Sequence, residues 1–216
     1  MSFSNSQSDT LLPPRAARSD ELIFKLSVDQ YHDMINAGTL TEDDPVELIE
    51  GVLVYNMPKK RIHAAVTGVI RRLIESQLGA GLTYETQEPI TLFDGEPEPD
   101  GAVIRGGGMA LLDRHPGPSE VALVVEISDS SLARDRGIKL RSYARARIPV
   151  YLIVNLIDMQ IEVFHNPHGL GDEASYVTFA IIKSGQSVTL PGEIAVVLNA
   201  DDVLPKAQDS FNKNQS

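Results

Sequence analysis

The hydrophobic pattern of the chain contains two short runs that are apolar at nearly every position. They cover residues 121–127 (VALVVEI) and 150–156 (VYLIVNL), and both are rich in β-branched side chains. Such runs are typical of central strands that are covered on both faces. Between them, a polar turn at residues 128–131 offers N-cap residues for a helix. One stripe of that helix contains Leu132, Arg136, Lys139 and Tyr143. The pattern predicts two buried strands joined by a crossover helix.

The rest of the chain alternates between helical and strand patterns. Helical patterns cover residues 28–37, 43–51 and 58–78. Strand patterns cover residues 52–55, 83–92, 101–105, 160–164, 176–182, 187–190 and 194–198. Together these segments predict an α/β fold, in which a mixed central sheet is flanked by helices and the C-terminal part is rich in β-strands.

The two ends of the sequence differ from the middle. Residues 1–20 and 205–216 are polar and lack periodicity, so we expect flexible tails there. Residues 21–204 remain as one predicted domain, which suits a chain of 216 residues.

Composition and charge exclude several classes of function. The chain has no cysteine, which rules out disulfides, thiolate zinc sites and cysteine nucleophiles. It shows no signal-peptide pattern and no apolar run of membrane-spanning length, so we expect a cytoplasmic protein without membrane contact. The formal net charge of −11 argues against a strongly basic nucleic-acid binder. Basic clusters within residues 59–72 and 134–147 could nevertheless meet phosphates.

Two carboxylates are placed where predicted strands begin or end. Asp100 precedes the apolar segment at residues 101–105, and Glu126 lies near the end of the run at residues 121–127. A buried carboxylate is costly unless it is paired or used, and Lys139 on the next helix points back towards the strand. Two carboxylates at adjoining strand ends can hold Mg²⁺, which needs few protein oxygens. The sequence therefore predicts a magnesium site, with Lys139 as a fixed positive charge beside it.

Each of these residues also has a simpler interpretation. Asp100 follows a proline and would serve as a turn or cap residue. Lys139 lies four residues after Asp135, so an exposed ion pair along one helix would explain it. His63, near the start of a predicted helix, is interpreted as a lone exposed histidine. The metal site is favoured because an Asp, a Glu and a Lys follow one another on consecutive elements.

Four runs of the sequence resemble one nuclease family. They are VELIEG (46–51), EPEPDGAVIR (96–105), HPGPSEVALVVEISDSSLARDRGIKLRSYARARIPVYLIVNL (115–156) and IEVF (161–164). These runs are similar to the Uma-two-type restriction endonuclease family, which belongs to the PD-(D/E)XK nuclease superfamily. The resemblance extends over residues 26–182 and implies a restriction-endonuclease-like core.

The resemblance also implies roles for individual residues. Asp100 is similar to the aspartate of the superfamily's Pro-Asp motif and Glu126 to its strand-end acid, and both would be metal ligands. The superfamily's lysine normally lies two residues after that acid, where this chain has Ser128. Lys139 resembles a migrated version of that lysine, supplied by the following helix.

The resemblance implies further site residues through motifs that are less specific. Glu47 resembles the acidic residue of the family's first core helix, with Glu50 as its alternative. Gln87, in the strand before the Pro-Asp motif, resembles a glutamine that recurs near the site.

The activity that the resemblance implies is magnesium-dependent cleavage of DNA, with manganese as a substitute, by a homodimer. Two alternatives stay open. One is a non-catalytic nucleic-acid-binding or regulatory module that keeps the nuclease fold. The other is a phosphodiesterase that acts on RNA or branched DNA.

Overall fold

The computed structural model describes residues 23–41, 43–107 and 111–206. The tails expected at residues 1–20 and 205–216 lie outside the described residues, except for Pro205 and Lys206. Within the described ranges, no helix is long and apolar enough to cross a membrane.

A six-stranded mixed sheet forms the centre of the molecule. In order across the sheet, its strands are β3 (Leu82–Glu85), β4 (Gly101–Arg105), β5 (Val121–Ser128), β6 (Val150–Asn155), β7 (Gln160–His168) and β8 (Ser175–Ile182). β5 and β6 are parallel, and all other neighbours in this sheet are antiparallel. The predicted α/β fold with a mixed central sheet is confirmed.

The parallel pair is joined by the predicted crossover, but the connection is not a single regular helix. It consists of α3 (Leu132–Arg134), a π-helical segment (Asp135–Lys139) and α4 (Leu140–Arg145). A π-helical segment has a wider turn than an α-helix and is frequent at functional sites. Here the first and last residues of that segment, Asp135 and Lys139, are both buried.

Helices cover both faces of the sheet. On one face, Val66, Ile70 and Ile74 of α2 (Arg61–Glu75) pack against side chains of β5, β6 and β7. On the other face, Tyr143 and Ala144 of α4 pack against the same three strands. β5 is buried along its whole length, which explains why its sequence is apolar at consecutive positions instead of alternating.

The region around Glu47 differs from the prediction. Residues 43–51 were expected to form a helical turn, but β1 (Val46–Ile49) and β2 (Val52–Tyr55) form an antiparallel hairpin. Its two-residue turn has positive φ at Glu50 (51°) and Gly51 (78°), as a tight hairpin of this kind requires. An added Cβ at Gly51 would lie 2.7 Å from Cβ of Lys25, so a glycine also fits the space. Glu47 therefore lies on a strand and not on a helix.

Other boundaries are shorter than predicted. α2 spans Arg61–Glu75 instead of residues 58–78, and the strand expected at residues 83–92 ends at Glu85. Two short strands, β9 (Ser187–Thr189) and β10 (Val197–Asn199), pair with each other beyond the main sheet. α1 (Val28–Asn36) and α5 (Ala200–Val203) complete the α-helices of the described residues.

Candidate active site

Asp100 and Glu126 lie side by side because β4 and β5 are antiparallel neighbours. Gly101 is opposite Val125 in the strand register, which places Asp100 next to Glu126. The backbone N–H of Ile127 donates to Oδ2 of Asp100 at 2.8 Å. Both carboxylates are buried and line a cleft of about 250 Å³. The structure thus brings together the two acids that the sequence placed at strand ends.

Lys139 reaches the same point from the crossover. Its Nζ lies 2.8 Å from Oε1 of Glu126 and 3.2 Å from Oε2 of Glu47. The hydroxyl of Tyr143, one turn further along, also donates to Oε1 of Glu126 at 2.9 Å. Lys139 is buried, so the alternative of an exposed ion pair with Asp135 is wrong.

Glu47 completes this buried cluster from the hairpin. Its Oε2 accepts the backbone N–H of Glu98 at 3.1 Å as well as the ammonium of Lys139. Its Oε1 is buried without a hydrogen-bond partner, and the nearest guanidinium nitrogen, on Arg134, is 3.8 Å away. The neighbouring acid Glu50 points elsewhere and pairs with Arg141 at 2.6 Å.

Asp100 has two further partners, which the sequence did not assign to the site. Nε2 of His63 donates to Oδ2 at 2.9 Å, and Nζ of Lys59 lies 2.9 Å from Oδ1. His63 is buried, so its interpretation as an exposed histidine is wrong. The hydroxyl of Thr67 donates to the carbonyl of His63 at 2.9 Å and lies 3.4 Å from Nδ1 of its ring. Gln87 is exposed and is not among the residues that line the cleft.

Comparisons with known proteins show the family and the fold of the chain. Residues 28–198 match the model of the Uma2 family, described as "Putative restriction endonuclease". The chain belongs to the Uma2 family. Among solved structures, this Uma2 chain is similar to "a putative nuclease belonging to DUF820 from Anabaena variabilis ATCC 29413". The TM-score is 0.58 and the identity 14%, over 82% of this chain and 97% of the other. No curated protein shows a significant match.

The family match and the structural match support different conclusions. The family match supports a nuclease for the Uma2 chain, in agreement with the resemblance in the sequence. At 14% identity, the solved structure shows that the fold is shared, and this confirms the predicted nuclease-like core.

The electrostatics of the Uma2 site are dominated by burial. Burial and, to a smaller extent, the nearby Asp135, Asp100 and Glu47 raise the pKa of Glu126, whereas the charge of Lys139 lowers it. The net result is a pKa of about 8. Burial alone would lower the pKa of Lys139, but Glu126, Glu47 and Asp135 outweigh it and hold that pKa above its usual range. Lys139 therefore stays charged and serves as the counter-ion of the acids around it.

The pKa of Asp100 is shifted in the opposite direction from that of Glu126. Burial by itself would raise its pKa, but the hydrogen bond from His63 and the charge of Lys59 lower it, as does the N–H of Ile127. The net effect is a pKa below the usual value, so Asp100 is a carboxylate at neutral pH.

The donor set fits a magnesium ion that is held by few protein oxygens. Among the described residues, no three acidic or histidine side chains form a complete cation cage. Asp100 and Glu126 would be the protein ligands of such an ion, with water for the remainder, as is common for Mg²⁺. Two observations favour a cation here. The ammonium of Lys59 already sits against Oδ1 of Asp100, and Oε1 of Glu47 is buried without a hydrogen bond.

Proposed function

We propose that this Uma2 chain is a magnesium-dependent endonuclease that hydrolyses phosphodiester bonds in DNA, in the cytoplasm. One observation carries the proposal: Asp100 and Glu126 are buried side by side at one cleft, with the ammonium of Lys139 2.8 Å from Glu126. A metal ion on the two carboxylates would neutralise phosphate charge and activate water.

The residues of the chain have separate tasks in this proposal. Asp100 and Glu126 would hold the metal, and His63 fixes the orientation of the Asp100 carboxylate through Oδ2. Lys139 would supply a positive charge for the negative charge that develops on the phosphoryl oxygens in the transition state. Glu47 provides a second carboxylate that holds the ammonium of Lys139, at 3.2 Å. Lys59 and Arg134 line the same cleft and offer cations for the phosphates of the substrate.

The alternative of a non-catalytic module explains the cluster less well. Moving an ion pair out of water costs several kcal/mol per ion, and this cost is only partly recovered by attraction. Here Lys139, Glu126 and Glu47 are all buried, and one oxygen of Glu47 accepts no hydrogen bond. A module that only binds nucleic acid would have no use for such a cluster beneath its surface, whereas a nuclease would.

The test is cleavage of supercoiled plasmid by the full chain. We expect nicked and linear DNA with Mg²⁺ or Mn²⁺ and none in the presence of EDTA. Single-stranded DNA, RNA and branched DNA of equal length serve as competing substrates. Retarded migration of intact plasmid with either metal, without any cleavage, would instead support the binding module. Faster cleavage of RNA or of branched DNA would support the phosphodiesterase alternative.

We further propose that the enzyme is a homodimer in which the edge strand β8 pairs with a second copy. Within the described residues no strand pairs with the outer edge of β8. Val177, Phe179 and Ile181 alternate along it and are all exposed. Such an apolar edge is normally protected by charges or by a partner, and Ser175–Ile182 contains no charged residue.

Charge complementarity selects a second copy as the partner. The acidic Glu173 precedes β8 and the basic Lys183 follows it, in a chain that otherwise carries a net charge of −11. Antiparallel pairing centred on Phe179 would bring the start of β8, which Glu173 precedes, near the end of the partner's β8, which Lys183 follows. The same register would set Val177 against the partner's Ile181, so the three apolar side chains of each copy would contact those of the other.

A single introduced thiol tests this interface, since the chain has no cysteine. Phe179→Cys should give a disulfide-linked dimer under mild oxidation, because the two copies of this position would be directly opposite. The control is Val197→Cys on β10, because the native side chains of Val197 and Phe179 are both 50% exposed. Equal cross-linking of the two variants, or a monomeric wild type by analytical ultracentrifugation, would refute the interface.

A further inference from the structure

The two oxygens of Asp100 are held from different sides. Oδ2 is fixed from the interior by the ring of His63 and the backbone N–H of Ile127. Oδ1 instead contacts the ammonium of Lys59 at 2.9 Å. The side chain of Lys59 is 41% exposed, and the residue belongs to the segment between β2 and α2. Oδ1 thus contacts a partly exposed, flexible side chain, whereas both partners of Oδ2 are buried.

A metal ion and the ammonium of Lys59 would compete for the same oxygen. Mg²⁺ binds carboxylate oxygens at about 2.0 to 2.1 Å. An ammonium that stays about 3 Å from that oxygen would lie close to the ion, and two cations at such a separation repel each other strongly. Because Oδ2 is already occupied by His63 and Ile127, a metal approaching from the cleft has to displace Lys59.

We propose that Lys59 is an exchangeable counter-ion of Asp100. Without metal it neutralises Oδ1, and metal binding releases it into the cleft, where it contacts the phosphate of the nucleic acid. The inference rests on the proposed function, because it assumes that a metal binds Asp100. It gives Lys59 a separate role in each state, because the same ammonium first neutralises the buried carboxylate and then binds the substrate.

The other nearby lysines do not fit this role. Lys139 is buried between Glu126 and Glu47, so it cannot leave without exposing two uncompensated carboxylates. Lys60 is adjacent to Lys59 in sequence but pairs with Asp129 at 3.2 Å and does not contact Asp100. Lys60 is consequently a matched control, because it has the same charge and lies at the next position of the chain but does not contact Asp100.

The experiment is calorimetric titration of Mn²⁺ into the full-length wild type, Lys59→Met and Lys60→Met at one ionic strength. We expect Lys59→Met to bind Mn²⁺ about tenfold more tightly, the effect of removing one charged hydrogen bond that competes for the ligand. Lys60→Met should stay within about twofold of the wild type, because Lys60 does not contact Asp100 and its exposed charge is screened by salt. At saturating Mn²⁺, Lys59→Met should also raise KM for plasmid DNA, since the released ammonium no longer meets the phosphate.

The outcomes separate this inference from the proposed function. If the wild type binds Mn²⁺ and Lys59→Met binds it with unchanged or lower affinity, the exchange is refuted and the metal site stands. If Lys60→Met gains as much affinity as Lys59→Met, the effect is one of general charge and the exchange is again refuted. If the wild type binds no Mn²⁺ at all, even with DNA present, the proposed function and the exchange fail together.

Discussion

Replacing Asp100 by asparagine is expected to abolish metal binding and to reduce DNA cleavage by at least about 10³-fold, the scale of losing one preorganised electrostatic group. The amide keeps the shape of the side chain, and its oxygen can still accept from His63 or from the N–H of Ile127. It removes the negative charge that a divalent cation needs. We therefore expect the loss to be one of metal affinity while the fold is retained.

The control for Asp100→Asn is the same substitution at Asp129, which lines the same cleft and pairs with Lys60. Titration of Mn²⁺ into both variants, with thermal unfolding to check the fold, measures the effect. Asp129→Asn should bind Mn²⁺ with an affinity close to that of the wild type. Unchanged cleavage by folded Asp100→Asn would show that this aspartate is no metal ligand and would remove the basis of the proposed function.

The strand-end acids and the lysine could be located from the sequence because each depends on local periodicity. The consecutive apolar residues of β5 predict a buried strand, and Glu126 inside that strand then requires a partner. Helical spacing places Lys139 and Tyr143 on one stripe, and both do contact Glu126. The π-helical segment at Asp135–Lys139 has no comparable signal, because the wider turn arises from how the crossover packs on the sheet.

The hairpin was missed because its residues do not show which element they form. Residues 46–50 (VELIE) suit a helix as well as a strand, and only the positive φ at Glu50 and Gly51 makes the tight turn. Tertiary contacts decide the outcome. The N–H of Glu96 donates to the carbonyl of Leu48 at 2.7 Å, which ties β1 to the segment before Asp100. Propensity is a weak guide where such a contact competes with it.

His63 was missed for a different reason, although a signal existed. Its partner Asp100 lies 37 residues away, so nothing in the local sequence indicates the contact. Its spacing, however, places it on the same side of α2 as Val66 and Ile70, which are both buried. A histidine on the apolar stripe of a helix is buried when that stripe packs against the core. This rule would have predicted that His63 is buried. Lys59 precedes the helix and shows no such spacing.

Replacing Lys139 by methionine is expected to destabilise the fold by about 3 kcal/mol or more at pH 8, the cost of removing one partner of a buried ion pair. Methionine has a similar length and no charge, so Glu126 and Glu47 would stay buried without their shared cation. The effect should depend on pH. The pKa of Glu126 is already raised to about 8 in the folded chain from an ordinary value of 4.5. Loss of Lys139 should raise this pKa further.

The direction of that pH dependence follows from proton binding. Between pH 4.5 and the raised folded pKa, the folded state holds a proton on Glu126 that the unfolded state has released. The stability of Lys139→Met therefore falls as pH rises through this interval. The wild type stops losing stability in this way near pH 8, whereas the variant continues to lose it at higher pH because the pKa of its Glu126 is higher. Urea unfolding of the wild type and of Lys139→Met at pH 8 and pH 10 measures it, with Lys60→Met as the surface control. A loss of the same size at both pH values would mean that Lys139 contributes packing alone, and its assignment as the charge beside the metal would lose its electrostatic support.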